Sequence, residues 1–342
     1  MKDLLRSKQI FLFLPLLGLL MVFCEPQAQW VKNTSTGEAL GTTFSLIYLA
    51  EDALDYSQGI DSVFYVVNTS MSTYIPDSDI SRINRGDTTV IADVMFREVL
   101  AISREVHKET NGYFDPTVGI LVNAWGFGPG AEITMDSAKV EQLRAYVGLD
   151  KIKLSDDNKI VKEAQEIQID FNAIAKGYAI DRLAAYMDLK GVQNYLLEVG
   201  GEIVAKGENK IKSQQWVVGI DDPQATLGRQ LNISLNLKYA ALASSGNYRK
   251  FRIDSITGQK FVHTIDPKTG FTRNSNVLSA SVIAPNCALA DAYATAFMAM
   301  DLEASMTLLN GKKNLEAYLI YLDDEGNVAE FMTPGFSEKV RR

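Results

Sequence analysis

The sequence predicts a mixed α+β protein, because strand-like and helix-like hydrophobic patterns both recur along the chain. Residues 231–237 alternate apolar and polar side chains, as a half-buried strand does. Within 52–70, apolar side chains recur instead on one face of a helix. The pair Gly200-Gly201 separates two strand-like segments and indicates a hairpin.

The remaining elements are predicted from the same two patterns, which are alternation of apolar and polar residues for strands and helical spacing of apolar residues for helices. Further strands are expected at 30–38, 41–48, 167–170, 216–221, 317–321 and 328–331, and further helices at 92–110, 136–147, 179–187, 286–300 and 303–309. No internal repeat and no Pro-rich or Ser-rich linker marks a domain boundary. We therefore expect a single folded unit, although the length alone would also allow two domains.

Composition excludes some function classes. The chain has 342 residues, of which 46% are hydrophobic and 22% charged, as in an ordinary soluble globular protein. Its formal net charge is −8, and its basic residues form no long block, so nucleic acid is not an expected partner. An anionic ligand would need a local cation or a metal ion.

Residues 1–24 predict an export signal. A basic segment at 1–8 precedes an apolar run at 10–23, which is too short for a membrane helix of ~20 residues. Cys24 closes the run and suggests a bacterial lipoprotein, membrane-anchored through this residue and facing the periplasm. Cleavage after Ala28 and an uncleaved anchor remain alternatives.

The scarcity of cysteine and histidine limits metal chemistry. Besides Cys24 the chain has only Cys287, so lipidation of Cys24 would leave no partner for a disulfide. With only two histidines, His107 and His263, zinc sites of the Cys/His type are not expected. Any metal ion would be held by oxygen atoms.

The stretch 170–181 has the character of a binding site. It contains Asp170, small residues and the pair Lys176-Gly177 where a predicted strand changes to a helix. Small residues there allow the backbone to approach a ligand. The spacing of a nucleotide P-loop is absent. A strand-to-helix turn with a surface lysine is the alternative.

Two irregular segments combine aromatic side chains with glycine. They are 112–119, which includes Tyr113, and 123–130. Aromatic faces and an approachable backbone suit a planar ring ligand, but loop aromatics also seal domain edges. The polar loop 71–84 carries Tyr74 and is otherwise typical of a surface turn that precedes a helix.

The predicted helix 286–300 consists almost wholly of alanine and apolar residues, yet it contains Asp291. Thr295 lies four residues further on, so both oxygen-bearing side chains share one face. A buried carboxylate without a partner would cost several kcal/mol. A hydrogen bond to a neighbouring strand would satisfy Asp291, and so would Mg²⁺, which prefers oxygen ligands.

These segments contain short motifs that follow one another in a fixed order along the chain. The motifs are Gly41-Thr42-Thr43-Phe44, Met71-Ser72-Thr73-Tyr74 with Ser81-Arg82, Phe114-Asp115-Pro116-Thr117-Val118-Gly119 with Trp125-Gly126-Phe127-Gly128-Pro129, Asp170-Phe171-Asn172 with Lys176-Gly177, Glu198-Val199-Gly200-Gly201, Ser245-Gly246-Asn247-Tyr248-Arg249, 263–270, and Asp291 with Thr295. In this order they resemble the ApbE family, the bacterial FAD:protein FMN transferases. The resemblance implies a T-fold-like α+β unit over 25–342, with mainly antiparallel sheets, packed helices and a flavin cleft.

The resemblance also implies the roles of individual residues. Mg²⁺ would be held by Asp291, Thr295 and the backbone carbonyl of Ala173. The expected FAD contacts are Leu40, Tyr74, Tyr113, Phe114, Asp115, Asp170, Lys176 and Ile265, with Leu40 in place of the methionine common in the family. Asp291 and His263 are the expected catalytic residues, and His263 could move a proton. A lone histidine beside a turn is otherwise more typical of a structural role.

The reaction that the resemblance implies is a Mg²⁺-dependent transfer of FMN from FAD. A Thr or Ser hydroxyl of an acceptor protein attacks the FMN-side phosphorus, and AMP leaves. Two alternatives stay open at this point. Water could replace the hydroxyl, giving an FAD pyrophosphatase, or the protein could bind flavin without catalysis.

Overall fold

The computed structural model describes residues 29–130, 133–225, 230–246, 251–253, 260–273 and 275–341. The predicted export signal at 1–24, with Cys24 and the alternative cleavage position after Ala28, lies outside the described residues. The motif residues Asn247, Tyr248 and Arg249 also lie outside them. In the described part of the chain, no helix is both long and apolar enough to cross a membrane.

Most helices correspond to segments predicted from the sequence, but those at 119–124 and 334–337 were not predicted. The helices are α1 (Ser57–Met71), α2 (Asp79–Asn84), α3 (Val94–Glu109), α4 (Gly119–Ala124), α5 (Ser137–Arg144), α6 (Ala175–Leu189), α7 (Cys287–Ala299), α8 (Leu302–Asn310) and α9 (Pro334–Ser337). Side-chain caps fix several starts: Ser78, Asp93 and Asn286 each accept a hydrogen bond from a backbone N–H of the first turn.

The strands form mainly one sheet. They are β1 (Val31–Ala39), β2 (Thr42–Ala50), β3 (Ile152–Leu154), β4 (Ile160–Lys162), β5 (Asn194–Val199), β6 (Glu202–Lys206), β7 (Trp216–Asp221), β8 (Leu231–Leu237), β9 (Ala240–Gly246), β10 (Phe251–Ile253), β11 (Lys260–Val262), β12 (Val277–Ala284), β13 (Glu316–Leu322) and β14 (Val328–Met332). Eight of them pair in the order β1-β2-β5-β6-β9-β12-β13-β14, always antiparallel. The predicted α+β class with mainly antiparallel sheets is confirmed.

The large sheet is covered on both faces. Along β9, Ala241 and Ala243 belong to the cluster formed with the helices, whereas Leu242 belongs to a second cluster on the opposite face. That second cluster contains Trp216 and Leu235 of the two-stranded β7-β8 ribbon. Alternation of side chains across the sheet therefore produces three layers: helices, sheet and ribbon.

Three local predictions need correction. Residues 167–170 form no strand, since only Gln168 makes an isolated bridge, to Val118. The backbone of this segment instead forms a hydrogen bond with a loop: the N–H of Asp170 donates to the carbonyl of Pro116 at 2.7 Å. Helix α1 starts at Ser57 rather than at residue 52, and α2 occupies the end of the predicted polar loop.

Helices α6 and α7 pack unusually closely at Gly177. A Cβ atom at this position would lie 2.3 Å from the carbonyl oxygen of Cys287 and 2.7 Å from its carbonyl carbon. Both atoms are backbone atoms, so they cannot move aside as a flexible side chain would. Glycine therefore sets the distance between the two helices that carry the predicted site.

Replacing Gly177 with alanine should destabilise the fold. Alanine gains up to about 1 kcal/mol in helix propensity, but overpacking against fixed atoms costs roughly 1–3 kcal/mol and here meets backbone. We expect a lower free energy of unfolding for Gly177→Ala, measured by urea denaturation. Gly311→Ala is the matched control, because its Cβ would lie 3.4 Å from the nearest neighbouring atom. Equal stability of both variants would contradict the packing argument.

Candidate active site

One large cavity collects most of the predicted site residues. Its volume is about 1330 Å³, above the range of roughly 300–1,000 Å³ typical of small-molecule sites. The predicted residues that line it are Leu40, Tyr74, Tyr113, Phe114, Asp115, Asp170, Ala173, Lys176, His263, Ile265 and Thr295. They come from segments separated by as much as 255 positions in sequence, from residue 40 to residue 295. Asp291 is the exception, because it is buried and does not line the cavity.

Asp291 is held against the start of α6. Its Oδ2 accepts a hydrogen bond of 3.1 Å from the N–H of Gly177. Gly177 is the third residue of α6, and an N–H at this position has no partner within the helix, so Asp291 supplies one. The carbonyl of Ala173 precedes the N-cap residue Ile174 and therefore lies outside the helical ladder, at the edge of the cavity.

Lys176 forms an ion pair with Glu202 beside this carboxylate. Glu202 is 2% exposed, and its second oxygen, Oε2, has no hydrogen-bond partner in the described structure. Lys176 also reaches the cavity surface. Glu202 therefore anchors the ammonium group at the cavity wall, at the expense of a partly unsatisfied buried carboxylate.

The buried charges in this cluster perturb one another. Burial by itself would lower the pKa of Lys176, but the negative charges of Glu202 and Asp291 outweigh it and raise the pKa, so the lysine stays protonated. Burial raises the pKa of Asp291, and the Lys176 charge and the Gly177 N–H only partly oppose the rise. Two buried carboxylates thus share one ammonium group.

Asp291, Thr295 and Ala173 form one corner of the site, and their donor atoms fit a hard divalent cation. They combine the carboxylate of Asp291 with the Thr295 hydroxyl and the Ala173 carbonyl, all oxygen donors of the kind that Mg²⁺ takes. Thr295 Oγ1 also lies 3.3 Å from the hydroxyl of Ser245. In the residues that the structure describes, no group of three or more His, Cys, Asp and Glu side chains could hold a metal ion. A site here would therefore combine different kinds of oxygen ligand.

A second wall of the cavity carries aromatic side chains. Tyr74 is 59% exposed, and it lines the cavity together with Asp170. Partial burial, followed by the charge of Asp170, raises the pKa of the Tyr74 phenol. Lys268 lies over the ring of Tyr113, with Nζ 3.9 Å from the ring centroid. The exposed Tyr74 ring is available to cover a planar ligand.

Asp115 lines the cavity and also stabilises the surrounding backbone through hydrogen bonds. Its Oδ1 accepts hydrogen bonds from the Thr117 N–H at 2.8 Å and the Thr117 hydroxyl at 2.6 Å. Its Oδ2 accepts one from the Leu149 N–H at 3.1 Å. Since both oxygens are engaged within the fold, we expect Asp115 to meet a ligand through its backbone.

Comparisons with known proteins show which proteins this chain is similar to. The model of the ApbE family matches residues 40–319. The FAD:protein FMN transferase of Haemophilus influenzae is 33% identical, covering 92% of this chain and 93% of its own. That of Vibrio cholerae is 31% identical, covering 90% and 92%. The solved structure of the flavin transferase ApbE from Vibrio cholerae has a TM-score of 0.80 at 30% identity, covering 92% of this chain and 100% of that chain.

The chain belongs to the ApbE family. The predicted family and its fold are thereby confirmed, and so is the prediction that the chain is an enzyme of the transferase class. The assignments of individual site residues stay predictions, supported by their convergence on one cavity.

The ApbE-family motif around Gly41 contains a strained residue. Leu40 and Gly41 are the two loop residues of the β1-β2 hairpin and have φ angles of 53° and 71°. Positive φ at both positions defines a type I′ turn, in which leucine is unfavourable by roughly 1–2 kcal/mol. The fold keeps leucine here, and its side chain lines the cavity. Strain of this kind is commonly retained where a side chain serves a ligand.

The segment after β11 brings His263 and Ile265 to the cavity. His263 is half-buried, and Ile265 is buried and bridges to Thr272. The turn is closed by a 2.8 Å hydrogen bond from the Gly270 N–H to the Asp266 carbonyl. His263 therefore lines the cavity, and its catalytic role stays a prediction.

Sequence reasoning missed Glu202. The hairpin pattern around Gly200-Gly201 gives this residue no role, although a carboxylate in an otherwise apolar strand indicates a buried polar partner. Its pairing with Lys176 depends on β6 lying beside the start of α6, which no local pattern shows.

Replacing Leu40 with glycine should weaken ligand binding and leave the stability of the fold nearly unchanged. Relief of the turn strain offsets the greater chain entropy of glycine, so we expect unfolding free energies within about 1 kcal/mol of the parent. Loss of the leucine contact should weaken FAD binding about tenfold in a fluorescence titration, corresponding to ~1.4 kcal/mol. Ser213→Gly is the control, since Ser213 also has positive φ, at 48°, but is exposed outside the cavity. Unchanged FAD affinity in Leu40→Gly would remove this residue from the flavin site.

Proposed function

We propose that this chain transfers the FMN part of FAD to a Thr or Ser hydroxyl of an acceptor protein, in a Mg²⁺-dependent reaction that releases AMP. The observation that carries the proposal is the cavity itself. It joins an exposed aromatic wall at Tyr74 to an oxygen-rich corner at Ala173 and Thr295. A flavin ring and a pyrophosphate need these two different surroundings within one site.

Each part of the cavity has a role in the proposed reaction. Tyr74 covers the isoalloxazine ring, and the protonated Lys176 meets the phosphate oxygens. Asp291, Thr295 and the carbonyl of Ala173 would hold a Mg²⁺ ion, which would supply positive charge to the pyrophosphate and to the leaving oxygen. His263 takes the proton from the attacking hydroxyl.

The proposal is tested by following AMP. The protein is incubated with FAD and Mg²⁺, with and without candidate acceptor proteins that are then examined by mass spectrometry for covalent FMN. AMP that appears only together with a modified acceptor supports the transferase. AMP without any acceptor would indicate a pyrophosphatase, and no AMP in either case would contradict both activities.

Replacing Asp291 with asparagine should abolish turnover by removing the charge that the metal ion needs. The asparagine carbonyl can still accept the hydrogen bond from Gly177, so the fold should persist. We expect a loss of AMP release of at least about a hundredfold, the scale of a metal site's electrostatic contribution. Circular dichroism checks the fold, and a titration with Mg²⁺ checks the metal dependence. Turnover with unchanged Mg²⁺ dependence would refute the ligand assignment.

We also propose that the chain is exported and anchored to a bacterial membrane through a lipid on Cys24, facing the periplasm. The basic segment at 1–8, the short apolar run and the position of Cys24 support this. A Cys24→Ser variant should move from the membrane fraction to the soluble periplasmic fraction, followed by immunoblotting. Retention of the variant in the membrane would favour an uncleaved anchor instead.

A further inference from the structure

The β7-β8 ribbon has one covered edge and one open edge. On the β8 side, the N–H of Asn236 donates to the carbonyl of Lys339 at 2.8 Å, and the N–H of Arg341 donates to the carbonyl of Ser234 at 2.8 Å. The C-terminal segment therefore covers the outer edge of β8. Among the described residues, no strand pairs with the outer edge of β7.

The register shows which backbone groups of β7 point to the open edge. Asn236 and Ser234 direct their backbone groups away from β7, and they lie opposite Val217 and Gly219. Such pairs are the non-hydrogen-bonded ones of an antiparallel ladder. The N–H and C=O groups of Val217 and Gly219 therefore also point outward, away from β8.

This open edge faces the cavity. The lining includes every residue from 217 to 221, in an unbroken run. Side chains of a strand alternate between its faces, so a cavity lying against one face would touch every second residue, as it does at Leu196 and Glu198 of β5. Contact with consecutive residues instead indicates that the cavity runs along the backbone edge of β7.

The position of this edge suits the second substrate. The cavity is larger than a typical small-molecule site, and its lining combines the predicted flavin residues with Ala173 and Thr295. Exposed strand edges are normally blunted because they attract other strands, whereas this edge is kept open inside a cleft. Val217 is half-buried and Gly219 is exposed, so the edge is accessible to an incoming chain.

We propose that the acceptor protein docks by adding an extended segment to the open edge of β7, through backbone hydrogen bonds with Val217 and Gly219. This inference rests on the proposed transferase function and specifies how its protein substrate is held. Strand addition takes its affinity from main-chain bonds and its specificity from alternate side chains. Every second side chain of the segment would point the same way, so a single Thr or Ser can be presented to the flavin phosphate while its neighbours point elsewhere.

The variant Val217→Pro tests the proposal, because it removes the outward N–H. The matched control is Val328→Pro. Val328 begins the outer strand of the large sheet, and its pairing partner Leu322 donates its N–H to Asn276, so the N–H of Val328 also points outward, but away from the cavity. The probe is an acceptor in which the parent enzyme forms covalent FMN, and the readout is kcat/KM for its modification.

We expect Val217→Pro to lower kcat/KM at least tenfold through KM for the acceptor, with FAD affinity retained, and Val328→Pro to keep the parent value. Equal kcat/KM in the two variants would overturn the docking proposal while leaving the transferase function intact. Failure of the parent enzyme to modify any acceptor would instead contradict the function on which the proposal rests.

Hydrogen exchange of the parent enzyme provides a second measurement that is independent of folding in the variants. The amides of Val217 and Gly219 should exchange at least tenfold more slowly with FAD and acceptor together than with FAD alone. Protection already complete with FAD alone would assign this edge to the cofactor and overturn the proposal. Absence of protection with a modified acceptor would overturn it as well.

Discussion

The close contact between α6 and α7 determines the geometry of the site. It is possible only because Gly177 has no side chain where the backbone of Cys287 passes. The same residue donates its N–H to Asp291, so one position fixes both the helix distance and the orientation of the carboxylate. The separate segments 170–181 and 286–300 thereby become two walls of one corner, with the Ala173 carbonyl just before the start of α6.

Charge at this corner is the second constraint. Asp291 and Glu202 are both buried, and Lys176 is the cation nearest to them. Such a cluster is costly to bury when it is not fully paired, which is consistent with Glu202 Oε2 having no hydrogen-bond partner in the described structure. Folds retain such unfavourable groups where a ligand or a metal ion can compensate for them.

Local patterns predicted most elements, because each depends on neighbours a few residues away. The β5-β6 hairpin followed from Gly200-Gly201, and α7 followed from its apolar run and its Asn286 cap. The strand predicted at 167–170 failed because alternation there reflects burial of Ile167 and Ile169 in an irregular segment. The Lys176–Glu202 pair and the position of the β7-β8 ribbon over the second face of the sheet depend on long-range packing. Site residues were predicted through the family resemblance, which already contains such long-range information.

An acidic chain that binds an anionic dinucleotide needs local positive charge. The net charge of −8 repels FAD at long range, and Lys176 is already paired with Glu202. Lysine alone would leave Asp291, Glu202 and a pyrophosphate around one ammonium group. In the proposed reaction, a divalent cation at Asp291 would reverse this balance, because it would offset the carboxylate and the phosphates together. In the proposed reaction, metal and FAD would therefore bind with positive coupling, each raising the affinity for the other by the same factor.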